Sequence, residues 1–117
     1  MDALSPGTQV SELRVIAGSG YDPRHREANL LLHVERDPGS IATVRHLLAA
    51  AAPWRPSAWM QEPSLSIVLL DGRRLVDEVG LLGDGWLRTA HSDDLRLADP
   101  DALDAWLTSC GVRTQPA

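Results

Sequence analysis

The chain is short of several residue types, and each shortage excludes a class of structure. Cys110 is the single cysteine among 117 residues, so neither an intrachain disulfide nor a cluster of cysteines around a metal can form. Lysine and phenylalanine are absent, and all 11 Lys-or-Arg positions are arginine. Since alanine, glycine and proline are abundant as well, the composition is typical of a GC-rich bacterial genome.

Long apolar runs and basic patches are missing too. No stretch approaches the roughly 20 apolar residues that a membrane-spanning helix requires, and the first residues lack the pattern of a secretion signal. The net charge of −5 disfavours nucleic acids and anionic membranes as partners. We therefore expect a cytoplasmic protein that binds neither nucleic acid nor membrane.

What is present suffices for one small domain. A chain of this length with 44% hydrophobic residues can bury a hydrophobic core without disulfide bonds or a structural metal ion. We predict a flexible segment at 1–10, a single domain at 11–112 and a tail at 113–117.

Local patterns in the first half predict two strands and a helix. The strands are expected at 12–17 and 29–35, although 22–35 also fits a helix; we favour the strand because Asp37-Pro38-Gly39 ends a short run. A helix begins at Asp37 or Ser40 and ends at Pro53. The following connection, 53–63, contains three prolines and is predicted to lack regular structure.

The next segment predicts a β-hairpin, because Asp71-Gly72 is a preferred dipeptide for a two-residue turn. Such a turn pairs Leu70 with Arg73 and Val68 with Leu75. One hairpin face would carry Val68, Leu75 and Val79, and the other would carry Leu65, Ile67, Leu69 and Val76. Because neither face is polar, we expect the second one to be covered by the 53–63 loop, by a tail or by another copy of the chain.

A second helix closes the chain and completes the fold prediction. It is capped by Asp99 and Pro100, buries Leu103 and Leu107, and ends near Gly111. Between the hairpin and this helix, 83–98 is predicted to continue the meander. The fold class is therefore α+β: an antiparallel sheet of about four to six strands in the order β-β-α-β-β-β-α, with two helices packed on it.

Three segments in the second half carry a resemblance: Leu69-Leu70-Asp71-Gly72, Gly85-Trp86-Leu87-Arg88 and Ala102-Leu103-Asp104-Ala105-Trp106-Leu107. With them, residues 40–112 resemble a small, uncharacterised actinobacterial type of α+β protein. The resemblance implies a helix, a hairpin and a closing helix, but no activity. Members of this type often carry cysteine and histidine near the hairpin, where this chain has Trp59-Met60 and Leu81-Leu82.

The titratable residues form no catalytic pattern. No two of the four histidines lie at a metal-ligand spacing, although His33, His46 and an aspartate could still meet through space. Asp77 and Glu78 are neighbours on a strand and face opposite ways, while Asp93-Asp94 suits a turn. Cys110 is expected to be a small buried apolar residue. We therefore predict no catalytic residue, no metal site and no cofactor.

The strongest functional hypothesis is a surface that binds another protein. The 53–63 loop carries side chains of the kind that anchor interfaces, although they could instead complete the core: Trp54, Arg55, Trp59 and Met60. The acidic segment 84–104 would steer a partner through Asp84, Asp93 and Asp94. These features favour a non-catalytic module, such as an accessory, inhibitor or immunity-like protein, over an enzyme.

Two alternatives stay open at this point. The first is a small-molecule-binding protein or minor enzyme with a pocket between the sheet and the 53–63 loop, in which Arg55, Arg73 or Arg74 holds an anionic ligand. The second is a homodimer that forms through an uncovered face of the sheet.

Overall fold

The computed structural model describes residues 8–25, 29–53, 62–89 and 94–112. Within these ranges the helices are α1 (Pro38–Ala49) and α2 (Pro100–Ser109). The strands are β1 (Glu12–Ala17), β2 (Leu31–Glu35), β3 (Ala52–Pro53), β4 (Leu65–Asp71), β5 (Arg74–Leu81), β6 (Trp86–Arg88) and β7 (Leu95–Arg96). All pairings are antiparallel, in one sheet of order β2-β1-β4-β5-β6-β7-β3. The predicted α+β class is confirmed.

Strand β4 lies inside the sheet, between β1 and β5, and is buried from Leu65 to Leu70. Its alternate side chains belong to two different clusters. Ile67 and Leu69 face the main core, whereas Val68 and Leu70 face the opposite side of the sheet. Both faces of this strand are therefore covered, as predicted, but at Val68 and Leu70 the cover comes from Ile16 and Tyr21, which were not among the predicted covers.

The main core lies between the sheet and the two helices. Helix α1 contributes Ile41, Val44 and Leu48, and α2 contributes Leu103 and Leu107. The stripes have the i, i+3, i+4, i+7 spacing that places apolar side chains on one side of a helix.

A second cluster lies on the opposite face, where Tyr21 from the β1–β2 connection packs with Ile16, Val68 and Leu70. All four residues are buried. The face through which a homodimer was expected is therefore not open at these positions.

The hairpin register differs from the prediction. Asp71 pairs with Arg74, so Gly72 and Arg73 form the turn, and Ser11 Oγ accepts a hydrogen bond from Gly72 N at 2.8 Å. The register then shifts, because Leu70 pairs with Leu75 whereas Leu69 pairs with Asp77. This irregularity places Val79 opposite Ile67, in the main core, rather than with Val68 as predicted.

Both helices begin as their sequences indicate, and α2 also ends where its sequence indicates. Asp37 accepts a hydrogen bond from Ser40 N at 2.9 Å, and Asp99 accepts one from Ala102 N at 3.1 Å. At the end of α2, Gly111 has a φ of +81° and Val112 N donates to Leu107 O at 2.9 Å. This arrangement satisfies the last carbonyl groups and directs the chain away from the helix.

Several boundaries differ from the sequence expectation. The alternative helix is excluded at Leu31–Glu35, which is a strand, and α1 ends at Ala49 rather than at Pro53. Ala52–Pro53 adds a short strand that pairs with β7, so the described residues form seven strands. A proline is tolerated there because β3 is the last strand of the sheet.

The predicted 113–117 tail and most of the predicted 1–10 segment lie outside the described residues. In the part of the chain that the structure describes, no helix is long and apolar enough to cross a membrane.

Candidate functional site

The predicted loop contacts fall outside the described residues. This applies to Trp54, Arg55, Trp59 and Met60, and also to Asp93. The backbone of Asp84 lies in the short 3₁₀ turn Gly83–Gly85 between β5 and β6. The proposed binding roles of these side chains stay predictions.

Asp94 is described, and it is engaged within the fold. Its Oδ1 accepts a hydrogen bond from Arg88 Nε at 3.1 Å, and its Oδ2 accepts one from Arg88 Nη2 at 3.3 Å. The hydrogen bond to Asp94 raises the pKa of Arg88 above its usual value. Because Asp94 is also buried, its charge is compensated locally and adds little to an acidic surface.

The predicted anion-binding arginines, Arg73 and Arg74, lie in the β4–β5 hairpin. Both are exposed, and Arg74 Nη2 lies 3.7 Å from Asp71 Oδ2. Neither side chain lines the groove of about 570 Å³ that runs beside β5. Among the described residues, this groove therefore does not contain the two arginines.

The groove beside β5 is acidic. Among the described residues that line it, Glu62, Asp77 and Glu78 supply carboxylates and Arg88 supplies a guanidinium. The Glu78 carboxylate accepts hydrogen bonds from Gly20 N and Tyr21 N, both at 2.8 Å. An excess of carboxylates disfavours the anionic ligand of the alternative hypothesis.

The apolar surface that the structure does expose lies at the other end of the sheet. Leu30, Leu31 and Leu32 are 68%, 42% and 36% exposed. They belong to or precede β2, which pairs with β1 on one side and has no further strand beyond it among the described residues. Outward-pointing backbone groups and leucine side chains therefore occur together along this edge.

The inner side of β2 brings together three side chains with metal-ligating atoms. His33, Glu35 and Cys110 each offer one such atom, and these atoms all lie within 4.8 Å of one another. His33 Nε2 is 3.5 Å from Glu35 Oε1, and Asp37 N donates to Glu35 Oε2 at 3.2 Å. Cys110 follows the last turn of α2 directly.

Packing orients the histidine in this cluster. The His33 and Trp106 rings meet edge to face, with centroids 5.8 Å apart and planes at 80°. Trp106 lies one helical turn before Cys110, so the same end of α2 positions both its indole and its thiol against β2. All three members of the cluster are partly exposed and can be reached from solvent.

Sequence reasoning missed this cluster because it considered His33 only with other histidines or an aspartate, and expected Cys110 to be a buried apolar residue. The useful pattern was His33-x-Glu35, since residues two apart on a strand face the same side.

No family model, curated protein or solved structure matches this chain.

Proposed function

We propose that this protein is a non-catalytic protein-binding module of the cytoplasm, which takes up an extended segment of its partner along β2. The contrast between the two ends of the sheet supports this proposal. β3 has two residues, including Pro53, whereas β2 has five residues without proline or lysine. Proline, lysine and short length protect sheet edges from pairing with other chains, so of the two edges in the described part of the chain β2 is the less protected.

Strand addition at β2 would use both its backbone and its leucines. An extended peptide can pair with the outer backbone groups of an edge strand and place alternate side chains against the exposed surface. Leu30, Leu31 and Leu32 offer apolar contact at that position. We therefore expect a partner segment with apolar residues at alternate positions.

Charge adds a preference for a basic partner. The net charge of −5 gives the protein a field that attracts positive surfaces and accelerates their association. In this proposal the loop side chains Trp54, Arg55, Trp59 and Met60 form a separate contact, because they follow Pro53 of β3, at the opposite edge of the sheet from β2. Asp84 and Asp93 contribute to steering.

Site-specific cross-linking tests the position of the interface. A photoreactive amino acid would replace Leu31 in one variant and Ala42, an exposed residue of α1, in a matched control. We expect a defined cross-linked partner protein from position 31 and none of that mass from position 42. Equal labelling from both positions, or none from position 31, would contradict the proposal.

A charge placed on the edge tests the binding mode. Leu31→Lys should weaken binding of the cross-linked partner at least about tenfold, because lysine disfavours edge pairing. Ala42→Lys adds the same charge on α1 and should leave affinity unchanged. If position 31 instead cross-links to a second copy and the mass in solution doubles, the protein is a homodimer and the partner-binding proposal is wrong.

A further inference from the structure

We propose that His33, Glu35 and Cys110 form a binding site for a zinc-type divalent cation between β2 and the end of α2. The proposal rests on the proximity of these three side chains and is independent of strand addition at β2. One nitrogen, one carboxylate oxygen and one sulfur are the three ligand types that Zn²⁺ accepts in proteins.

The distances fit such a site after small side-chain rotations. Ligand bonds of about 2.0–2.3 Å place neighbouring ligand atoms of a tetrahedral zinc roughly 3.3–3.6 Å apart. The three atoms here already lie within 4.8 Å of one another, and His33 Nε2 is 3.5 Å from Glu35 Oε1. Three protein ligands leave the fourth position for water.

The surrounding backbone favours a cation at this position. Cys110 lies at the C-terminal end of α2, where the peptide dipoles give a partial negative charge. The Glu35 carboxylate is held by the backbone N–H of Asp37 at 3.2 Å. A hydrogen bond of this kind orients a metal-ligating carboxylate before the ion arrives.

The same geometry disfavours the alternative that His33, Glu35 and Cys110 form a catalytic site with Cys110 as the nucleophile. A thiolate and an oxyanion both require a positive field and free N–H donors. Here the backbone N–H groups of Cys110, Gly111 and Val112 donate to carbonyl groups of α2. The helix end therefore supplies negative charge where acyl transfer would need donors.

Cobalt titration of the metal-free, reduced chain tests the site. Because Cys110 is the only cysteine, a sulfur-to-cobalt charge-transfer band can come from no other residue. We expect the band to saturate at one Co²⁺ per chain and to be displaced by Zn²⁺. No band, or saturation at one ion per two chains, would overturn the proposal.

Variants assign the ligands. Cys110→Ser should remove the band, and His33→Gln and Glu35→Gln should each weaken Co²⁺ binding more than about 100-fold, since even loss of an outer-shell partner costs about 10- to 100-fold. His46→Gln is the matched control, because His46 is exposed on α1, and it should bind as the wild type does. Binding that is unaffected by both His33→Gln and Glu35→Gln would exclude this site.

A wild-type measurement keeps the test independent of variant folding. Saturating Zn²⁺ should slow alkylation of Cys110 by iodoacetamide at least tenfold, because the coordinated sulfur is no longer accessible. An unchanged alkylation rate at saturating Zn²⁺ would count against coordination by Cys110, whatever the variants show.

Discussion

β4 and β2 are both rich in leucine and belong to the same sheet, yet their side chains lie in opposite environments. In β4, Leu69 and Leu70 are fully buried, whereas in β2, Leu31 and Leu32 are 42% and 36% exposed. Strand β4 has a neighbour on each side, and side chains cover both of its faces. Among the described residues, strand β2 pairs only with β1.

The position of a strand in the sheet, rather than its composition, therefore decides what its leucines do. A central leucine removes its whole side chain from water and contributes to stability. A leucine at an edge leaves part of its apolar surface exposed. It therefore contributes less to stability and offers that surface for contact with another molecule. The contrast gives β4 a role in stability, and under the proposal above β2 would serve in binding; both roles can be measured.

The largest expected effect is the loss of a central leucine. Leu69→Ala should lower the free energy of unfolding by about 2–5 kcal/mol, the range for truncating a fully buried leucine. Leu31→Ala should change it by less than about 0.5 kcal/mol, as is usual for surface positions. Urea denaturation of the two variants compares centre and edge directly.

A control variant at position 69 distinguishes the loss of side-chain volume from the effect of replacing leucine as such. Leu69→Met keeps the size and apolar character of the side chain and should cost less than about 1.5 kcal/mol. Equal losses from Leu69→Ala and Leu31→Ala would show that β2 is as tightly packed as β4, and would remove the basis for a binding edge.

The next largest loss of stability is expected from a steric clash between a side chain at position 80 of β5 and Pro63. A Cβ on Gly80 of β5 would lie 2.8 Å from Pro63 Cγ and 3.0 Å from Pro63 Cβ. Gly80→Ala should therefore cost about 1–3 kcal/mol through overpacking, measured by urea denaturation.

Pro63 provides the matched test of that cause. Pro63→Ala removes the nearer carbon, so the double variant should be more stable than the sum of the two single changes indicates. Strict additivity would show that contact with Pro63 is not the reason for the glycine.

The sequence was informative where burial and turn chemistry act locally. The apolar run of β4, on both faces, indicated a covered strand, and Asp99, Pro100 and Gly111 placed α2 correctly. The register of the hairpin could not be found in this way. The turn is formed by Gly72 and Arg73 rather than by Asp71 and Gly72, and the irregularity after Leu69 then breaks the two-residue period that the prediction assumed.

The candidate site was harder to predict than the fold. Cys110 is distant in sequence from His33 and Glu35, and only the packing of α2 against β2 brings them together. Asp94 shows the reverse error: its place in an acidic segment indicated a surface role, whereas the structure pairs it with Arg88.

A smaller effect is expected from the cap of α2, the helix that contacts β2 through Trp106. Asp99→Ala removes the acceptor for Ala102 N and should cost about 1 kcal/mol. Because α2 ends against β2, hydrogen exchange should accelerate more in β2 than in β4. Equal acceleration in both strands would show that the edge does not open separately from the centre.

The smallest expected effect is a pH dependence of the free energy of unfolding, which arises from Glu12 where β1 pairs with β2. Glu12 accepts hydrogen bonds from Arg14 and from Arg36, the latter at 2.9 Å, so it links β1 to the residue after β2. Burial is the largest single influence and raises the pKa of Glu12, but hydrogen bonds and charges of the two arginines together outweigh it and hold the pKa below its usual value.

The lowered pKa means that acid weakens this link. Between the ordinary pKa of glutamate and the lower value in the folded protein, the unfolded chain binds more protons, so stability is present above this window and is lost as pH falls through it. The loss should be about 1 kcal/mol, because burial of Glu12 opposes the effect of the arginines and the outer partner, Arg36, is largely exposed. Urea denaturation across acidic pH should show a flatter profile for Glu12→Gln than for the wild type. Identical profiles would mean that the arginines do not stabilise the Glu12 carboxylate, and that backbone pairing and packing alone hold β2 to β1.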